Sequence, residues 1–224
     1  EIFHWNGISF DIWPLPANCT DLQAIWGADR NNVWVFGCKN RIFLWKGLSA
    51  GWEAEAIPLS RSHPFPKLTG SNANNVWLSV GALYHRTEAG WVLETSTGSQ
   101  YRDPAPRPIA AFGENEIWTT NGYETLYNRL AIGKYANGST YWAWLPYDVS
   151  QSFTMSALWG STSQKMWLVG ETGVIRHWNG TAWYRLDSGL GGVDSSINLW
   201  DVWGAGPEDV WAVGDGGTIL RYRP

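Results

Sequence analysis

The chain has 224 residues and a mass of 25.1 kDa, enough for one generous domain that buries roughly 70% of its unfolded surface without a structural metal. Hydrophobic residues make up 44% and charged residues 16%, which excludes a disordered chain. Its 16 basic and 20 acidic residues exclude a basic nucleic-acid groove, which needs clustered Lys and Arg, and no apolar run reaches the ~20 residues of a membrane-spanning helix.

The composition departs from the ordinary in its 18 Trp and 25 Gly, and these are distributed as a repeat. In chain order, residues 1–13 carry the end of one unit, Ile2-Phe3-His4-Trp5-Asn6-Gly7 followed by Phe10. Glu1 in place of Met reads as a processed form or a fragment. Five further units follow, anchored at Val33-Trp34, Val76-Trp77, Ile117-Trp118, Met166-Trp167 and Val210-Trp211, with Trp spacings of 43, 41, 49 and 44 residues. Ahead of three anchors stands an apolar residue with Trp-Gly: Ile25-Trp26-Gly27, Leu158-Trp159-Gly160 and Val202-Trp203-Gly204. The other two have Thr69-Gly70 and Phe112-Gly113. Trp52, Trp91, Trp142 and Trp183 close the units.

Each unit reads as four short strands, exemplified by Leu199–Gly204, Val210–Gly214 and Thr218–Tyr222, with Trp183–Leu186 as a fourth. They are rich in Trp, Val, Ile and Tyr and bounded by turn residues. Asn-Gly pairs at Asn6-Gly7, Asn137-Gly138 and Asn179-Gly180 supply tight turns. No sustained 3.6-residue period argues for helix. A four-stranded unit of this length, repeated, predicts an all-β chain: a single β-propeller domain over residues 1–224, with five blades of four antiparallel strands. The strand near Ser9–Trp13 is expected to complete the last blade and close the ring. Ile2–Trp5 is then a sixth third strand, read as displaced outward rather than as the sign of a larger array.

The run Asp209-Val210-Trp211-Ala212-Val213-Gly214-Asp215-Gly216-Gly217-Thr218-Ile219-Leu220-Arg221 resembles the Trp-Gly…Val-Trp-Ala-Val-Gly repeats of bacterial extracytoplasmic propellers, frequent in secreted proteins and lipoproteins of myxobacteria. It is also similar to repeats of the photosystem II assembly-factor family, a seven-bladed propeller that chaperones membrane-protein subunits. The likeness touches all five units and is close in the fourth and fifth. The third, with Trp118-Thr119-Thr120-Asn121-Gly122, departs most. What the resemblance implies is a fold and an extracytoplasmic setting; it is nearly silent on activity. The Trp content is similar to that of tachylectin-type sugar-binding propellers, without a matching motif.

Most Trp residues fit the wedges between blades. Trp13, Trp144 and Trp200 fall outside the repeat positions and are candidates for sugar stacking, weighed against extra packing. The connections from fourth to first strands are long and all different: Ile57–Lys67, Thr95–Pro108, Pro146–Thr154 and Leu186–Asn198. With the segment around Tyr123–Leu130 they carry Arg61, His63, Phe65, Tyr101, Arg102, Asp103, Arg107, Tyr123, Glu124, Tyr127, Tyr147, Asp148 and Asp194, a mix suited to a binding face. Cys19 and Cys38 sit at the same end of neighbouring antiparallel strands, where a disulfide is geometrically allowed and implies an oxidising compartment. The alternative is two buried thiols.

His4 and His177 occupy equivalent positions in different units and so share no metal, and His63 and His85 lack ligand spacing. The first strands offer Asp201, Asp21 and Lys67 but no recurrent acid pair for glycoside hydrolysis. No catalytic elbow or phosphate-binding loop is present. The expected function is a non-enzymatic, secreted or cell-surface binding module, lectin-like or adhesin-like, that presents its loop-rich face to a glycan or protein partner. It would need no cofactor. The alternatives are an accessory subunit of a larger assembly and, third, a propeller hydrolase.

Overall fold

Short runs of β-branched and aromatic residues, punctuated by Gly, Asn and Asp, pair here as antiparallel strands. The computed structural model describes residues 1–59, 66–94, 106–113, 116–121, 131–136, 139–144, 154–190 and 196–223, with the backbone alone at 106–108, 120–121, 131–136 and 139–144. Strands β1 (Ile2–Trp5) and β2 (Phe10–Trp13) form a hairpin. Its turn is held by Asn6 Oδ1, which accepts from the Ile8 and Ser9 amides at 2.9 Å each. The first sheet comprises β3 (Leu22–Asp29), β4 (Asn32–Gly37), β5 (Arg41–Trp45) and β6 (Trp52–Glu55). The second comprises β7 (Lys67–Asn72), β8 (Asn75–Ser79), β9 (Leu83–Thr87) and β10 (Gly90–Leu93).

The following region gives two pairs: β11 (Pro106–Phe112) with β12 (Glu116–Asn121), and β13 (Ala131–Ala136) with β14 (Ser139–Trp144). Then come a four-stranded sheet, β15 (Met155–Thr162), β16 (Lys165–Gly170), β17 (Ile175–Trp178) and β18 (Trp183–Leu186), and a three-stranded one, β19 (Leu199–Gly206), β20 (Asp209–Gly214) and β21 (Ile219–Tyr222). The helical content of the described residues is two three-residue 3-10 turns, Glu171–Gly173 and Asp215–Gly217.

Each sheet packs face to face on the next. Trp34, Phe36, Ile42 and Leu44 of the first meet Val76, Leu78, Tyr84 and Trp91 of the second, all buried. Trp77 and Leu83 meet Ile109 and Ile117, Ala110 meets Met155, Leu158 and Met166, and Trp167 and Val169 meet Leu199, Val202 and Val210. Each large side chain so buried contributes about 1.5–3 kcal/mol. The Trp-Gly pair has a specific part in this stacking. A Cβ on Gly70 would come within 2.6 Å of Trp26, one on Gly160 within 2.9 Å of Phe112, and one on Gly204 within 2.6 Å of Trp159. The aromatic ring of one inner strand thus rests on the bare glycine of the next.

A polar clamp also joins the first two sheets. Glu55 Oε2 accepts from Trp34 Nε1 at 3.0 Å and Trp91 Nε1 at 2.8 Å. The Arg86 guanidinium donates to the same carboxylate at 2.8–2.9 Å and lies 5.3 Å from the Trp34 ring centre. One carboxylate from β6 therefore ties β4 to β9 and β10.

The chain is a β-propeller, but two expectations are corrected. Among the described residues five four-stranded blades are not formed: four sheets have blade form, three of four strands and one of three, while β11 with β12 and β13 with β14 are two-stranded pairs. Nor does the N-terminal strand close the ring. Residues 10–13 pair with Ile2–Trp5 instead of with β21, because the Asn6-Gly7 turn folds the segment on itself and its Ile2, Trp13 and Leu15 side chains cover the first sheet. There Trp13 lies 4.8 Å from Trp45, and Trp52 Nε1 donates to the Pro14 carbonyl at 2.7 Å. Ile2 and Phe3 border the axial cavity, so β1 is not displaced outward.

Candidate functional site

The first strands β3, β7, β11, β15 and β19 line an axial cavity of about 720 Å³. Alternation along these strands leaves few charged groups facing it. Lys67, at the start of β7, and Asp201, near the start of β19, meet at 3.3 Å across it. Asp201 is largely exposed, so the pair adds little to stability; it places one charge of each sign at a mouth whose other lining is mostly apolar, with Glu1, Gln23 and Thr69 as further polar groups.

The same end of the sheets carries Trp200. Its indole N–H donates to Asp215 Oδ1 at 2.5 Å, and Asp215 Oδ2 accepts from the Asn198 amide at 3.0 Å. The Trp200 bond first, then the Asn198 backbone bond, hold the Asp215 carboxyl below the usual carboxylate range. The indole is fixed by its edge while the residue remains 49% exposed, which is the geometry of a stacking platform. Asp215 belongs to a series that sequence reasoning missed. In the preceding four-stranded sheet Glu171 holds the Thr154 amide at 3.1 Å in the same way, and its own amide donates to the Thr154 carbonyl at 3.0 Å. The signal was there in the acid that follows Val-Gly in both units.

In the first sheet this place is taken by Cys38, whose amide donates to the Asp21 carbonyl at 2.9 Å and whose sulfur is bonded to Cys19. Both half-cystines are buried. Cys38, Lys39 and Asn40 all adopt left-handed backbone, φ +51, +64 and +63, so the disulfide anchors a turn of three non-glycine residues in a costly conformation.

Of the other sequence candidates, Trp13 is stacked on His4 at 4.5 Å and lies 4.8 Å from Trp45. It shares no ring contact with Trp200. Arg107 and Trp144 lie in β11 and β14, where the backbone alone is described. Arg61, His63, Phe65, Tyr101, Arg102, Asp103, Tyr123, Glu124, Tyr127, Tyr147, Asp148 and Asp194 lie outside the described residues. Among the described residues no group of three or more His, Cys, Asp or Glu is arranged to hold a metal, and no helix is long and apolar enough to cross a membrane.

His85 and His177 both sit on third strands opposite a second-strand Trp, with ring centres 4.0 Å and 4.6 Å apart. Burial, with a smaller contribution from Lys165, pushes the His177 imidazole below its ordinary value of 6.5. The unfolded chain therefore takes up a proton first as pH falls. Stability is complete above the ordinary value and declines as pH drops below it toward the folded-state value. Urea melts at pH 7.5 and 5.5 are expected to differ, and His177→Gln to reduce that difference; an unchanged difference would show the titration lies elsewhere.

No protein-family model and no curated protein matches the sequence. Solved structures do. YCF48 bound to a D1 peptide is 16% identical over 93% of this chain and 79% of that one, with a TM-score of 0.50. The extracellular domain of the hybrid two component system BT4673 from B. thetaiotaomicron is 14% identical over 99% of this chain and 29% of that one, TM-score 0.63. The fucose-specific lectin from Aleuria aurantia is 13% identical over 85% and 68%, TM-score 0.53. At such identities the likeness is one of fold.

Proposed function

We propose that the chain is a non-enzymatic binding module that holds a glycan on the face where its first strands begin. The observation that carries this reading is Trp200, an indole pinned through its N–H to Asp215 with much of its surface left in water. A pyranose presents an apolar C–H face to such a ring, and the Lys67–Asp201 pair nearby offers a donor and an acceptor for hydroxyls. The remaining contacts would come from the connections that carry Arg61, His63, Tyr101, Arg102, Asp103, Arg107, Tyr123, Glu124, Tyr147 and Asp148, and from Trp144. The fucose-specific lectin among the similar folds supports the class of ligand without specifying it. The buried disulfide supports an extracytoplasmic setting.

A glycan array followed by Trp fluorescence titration tests this. Trp200→Ala is expected to weaken a hit by up to about tenfold, the upper end of the roughly 0.5–1.5 kcal/mol of an aromatic stacking contact, with the melting temperature unchanged. A blank array with intact protein favours the second reading, an accessory subunit that docks on another protein. The observation behind that reading is the exposed apolar face of β19–β21, with Trp203, Trp211, Val213 and Ile219.

A further inference from the structure

The ring-on-glycine contact that joins successive sheets is left open at both ends of the series. Trp203 stands on β19 where Trp159 stands on β15, yet it is 62% exposed and covers nothing comparable. Gly27 on β3 is exposed, and the three atoms nearest a Cβ there, at 3.1–3.7 Å, all belong to Asn32 and Val33 of its own hairpin. A knob without a socket and a socket without a knob remain.

Whole faces follow the same pattern. Trp167, Val169 and Ile175 turn toward β19–β21 and pack against it. Their counterparts on the last sheet, Trp211, Val213 and Ile219, are exposed. On the β1–β2 hairpin Phe3 lies opposite Ile12 and Trp5 opposite Phe10, and all four are exposed. The other side of that hairpin covers the first sheet.

The hairpin is also one half of a familiar object. Ile2-Phe3-His4-Trp5-Asn6-Gly7 repeats the pattern of Ile175-Arg176-His177-Trp178-Asn179-Gly180. Trp5 faces Phe10 as Trp178 faces Trp183, and Asn179 Oδ1 accepts from the Thr181 and Ala182 amides as Asn6 does from its own turn. But β17 carries β16 on its other edge, where the Trp167 ring lies 4.6 Å from that of His177. Among the described residues β1 has no strand on that edge, and an unpaired edge of backbone donors and acceptors is a template for another strand.

We propose that the gap between these two apolar faces docks a two-stranded antiparallel β-hairpin with the chemistry of this chain's own first and second strands, added to the free edge of β1. Its first strand supplies a glycine to seat Trp203 and an aromatic ring to cover Gly27. Its second supplies a Trp opposite His4. Small and branched residues equivalent to Val202, Val210 and Ala212 face Trp211 and Val213, as those three already face Trp167 and Val169. Both β1 and β19 border the axial cavity, so the incoming strands fit between elements that already share a wall. The inference is independent of the ligand proposed for Trp200.

A copy of residues 197–218 placed ahead of Ile2, in place of Glu1, supplies such a hairpin in register, because Thr218 precedes Ile219 as the copy would precede Ile2. Hydrogen exchange of the β1 amides is expected to slow by about tenfold or more, and oxidative footprinting of Trp203 to fall severalfold. Trp203→Lys should remove that protection in the extended chain while leaving the melting temperature of the unmodified chain unchanged. The peptide of residues 197–218 added to the unmodified chain gives a second format that does not depend on refolding. Absence of protection at β1 and Trp203 in both formats overturns the proposal. So does self-association of the unmodified chain that shields Trp203 by itself, since the occupant is then a second copy.

Discussion

Replacing Glu55 by alanine is expected to lower stability by about 3 kcal/mol, the cost of leaving a largely buried charge without its partner. The side chain is the shared acceptor for Trp34, Trp91 and Arg86, so its removal strands two indole N–H groups and a guanidinium between the first two sheets. Glu55→Gln should cost less, because an amide oxygen still accepts from the indoles, but it does not restore the ion pair with Arg86. Equilibrium urea melts of both variants measure this. A loss under about 1 kcal/mol for the alanine variant would mean that packing by Trp34, Leu78 and Tyr84 alone joins the sheets.

Removal of the Cys19–Cys38 bond, by Cys19→Ala with Cys38→Ala or by reduction, is expected to cost about 3 kcal/mol. That is the loop-closure entropy for a separation of 19 residues. A second effect accompanies it. The three left-handed residues after Gly37 lose their anchor, where the later units hold the same connection with Glu171 or Asp215. Exchange of the Cys38 amide, now bonded to the Asp21 carbonyl, should accelerate along with the fall in melting temperature. If the reduced chain melts at the temperature of the oxidised one, the turn is held by its hydrogen bonds instead.

The strands were legible because their signal is local. Every Val-Trp or equivalent anchor falls in a second strand, from Val33-Trp34 in β4 to Val210-Trp211 in β20, and Trp183–Leu186 is a strand with the bounds read from sequence. What failed was a choice between partners of equal local merit. Residues 10–13 can pair with β21 or with Ile2–Trp5, and the alternation of side chains is the same in both; the Asn6 turn and the apolar cover over the first sheet decide it. The clamp at Glu55 was hidden for a related reason. It sits on the outer strand of its sheet, and its partners lie 21, 31 and 36 residues away, where no spacing rule connects them. Trp200 was singled out as off-repeat, but the acid that fixes it lies 15 residues on and is recognised only when β19 and β20 are paired.

A closed circle of sheets has no terminus, whereas an open series has two. Because the buried packing runs from each sheet to the next, the free energy of the molecule approximates a sum of units and nearest-neighbour junctions, and a unit at either extremity has one junction in place of two. Cooperativity then weakens toward the extremities. The last sheet can melt without its predecessor, and the amino-terminal hairpin can lift from the first sheet, while the middle of the series stays intact. Such partial opening would expose the Leu199–Val210 face to solvent and to proteases, and fraying is expected to run from the two ends toward a more persistent centre.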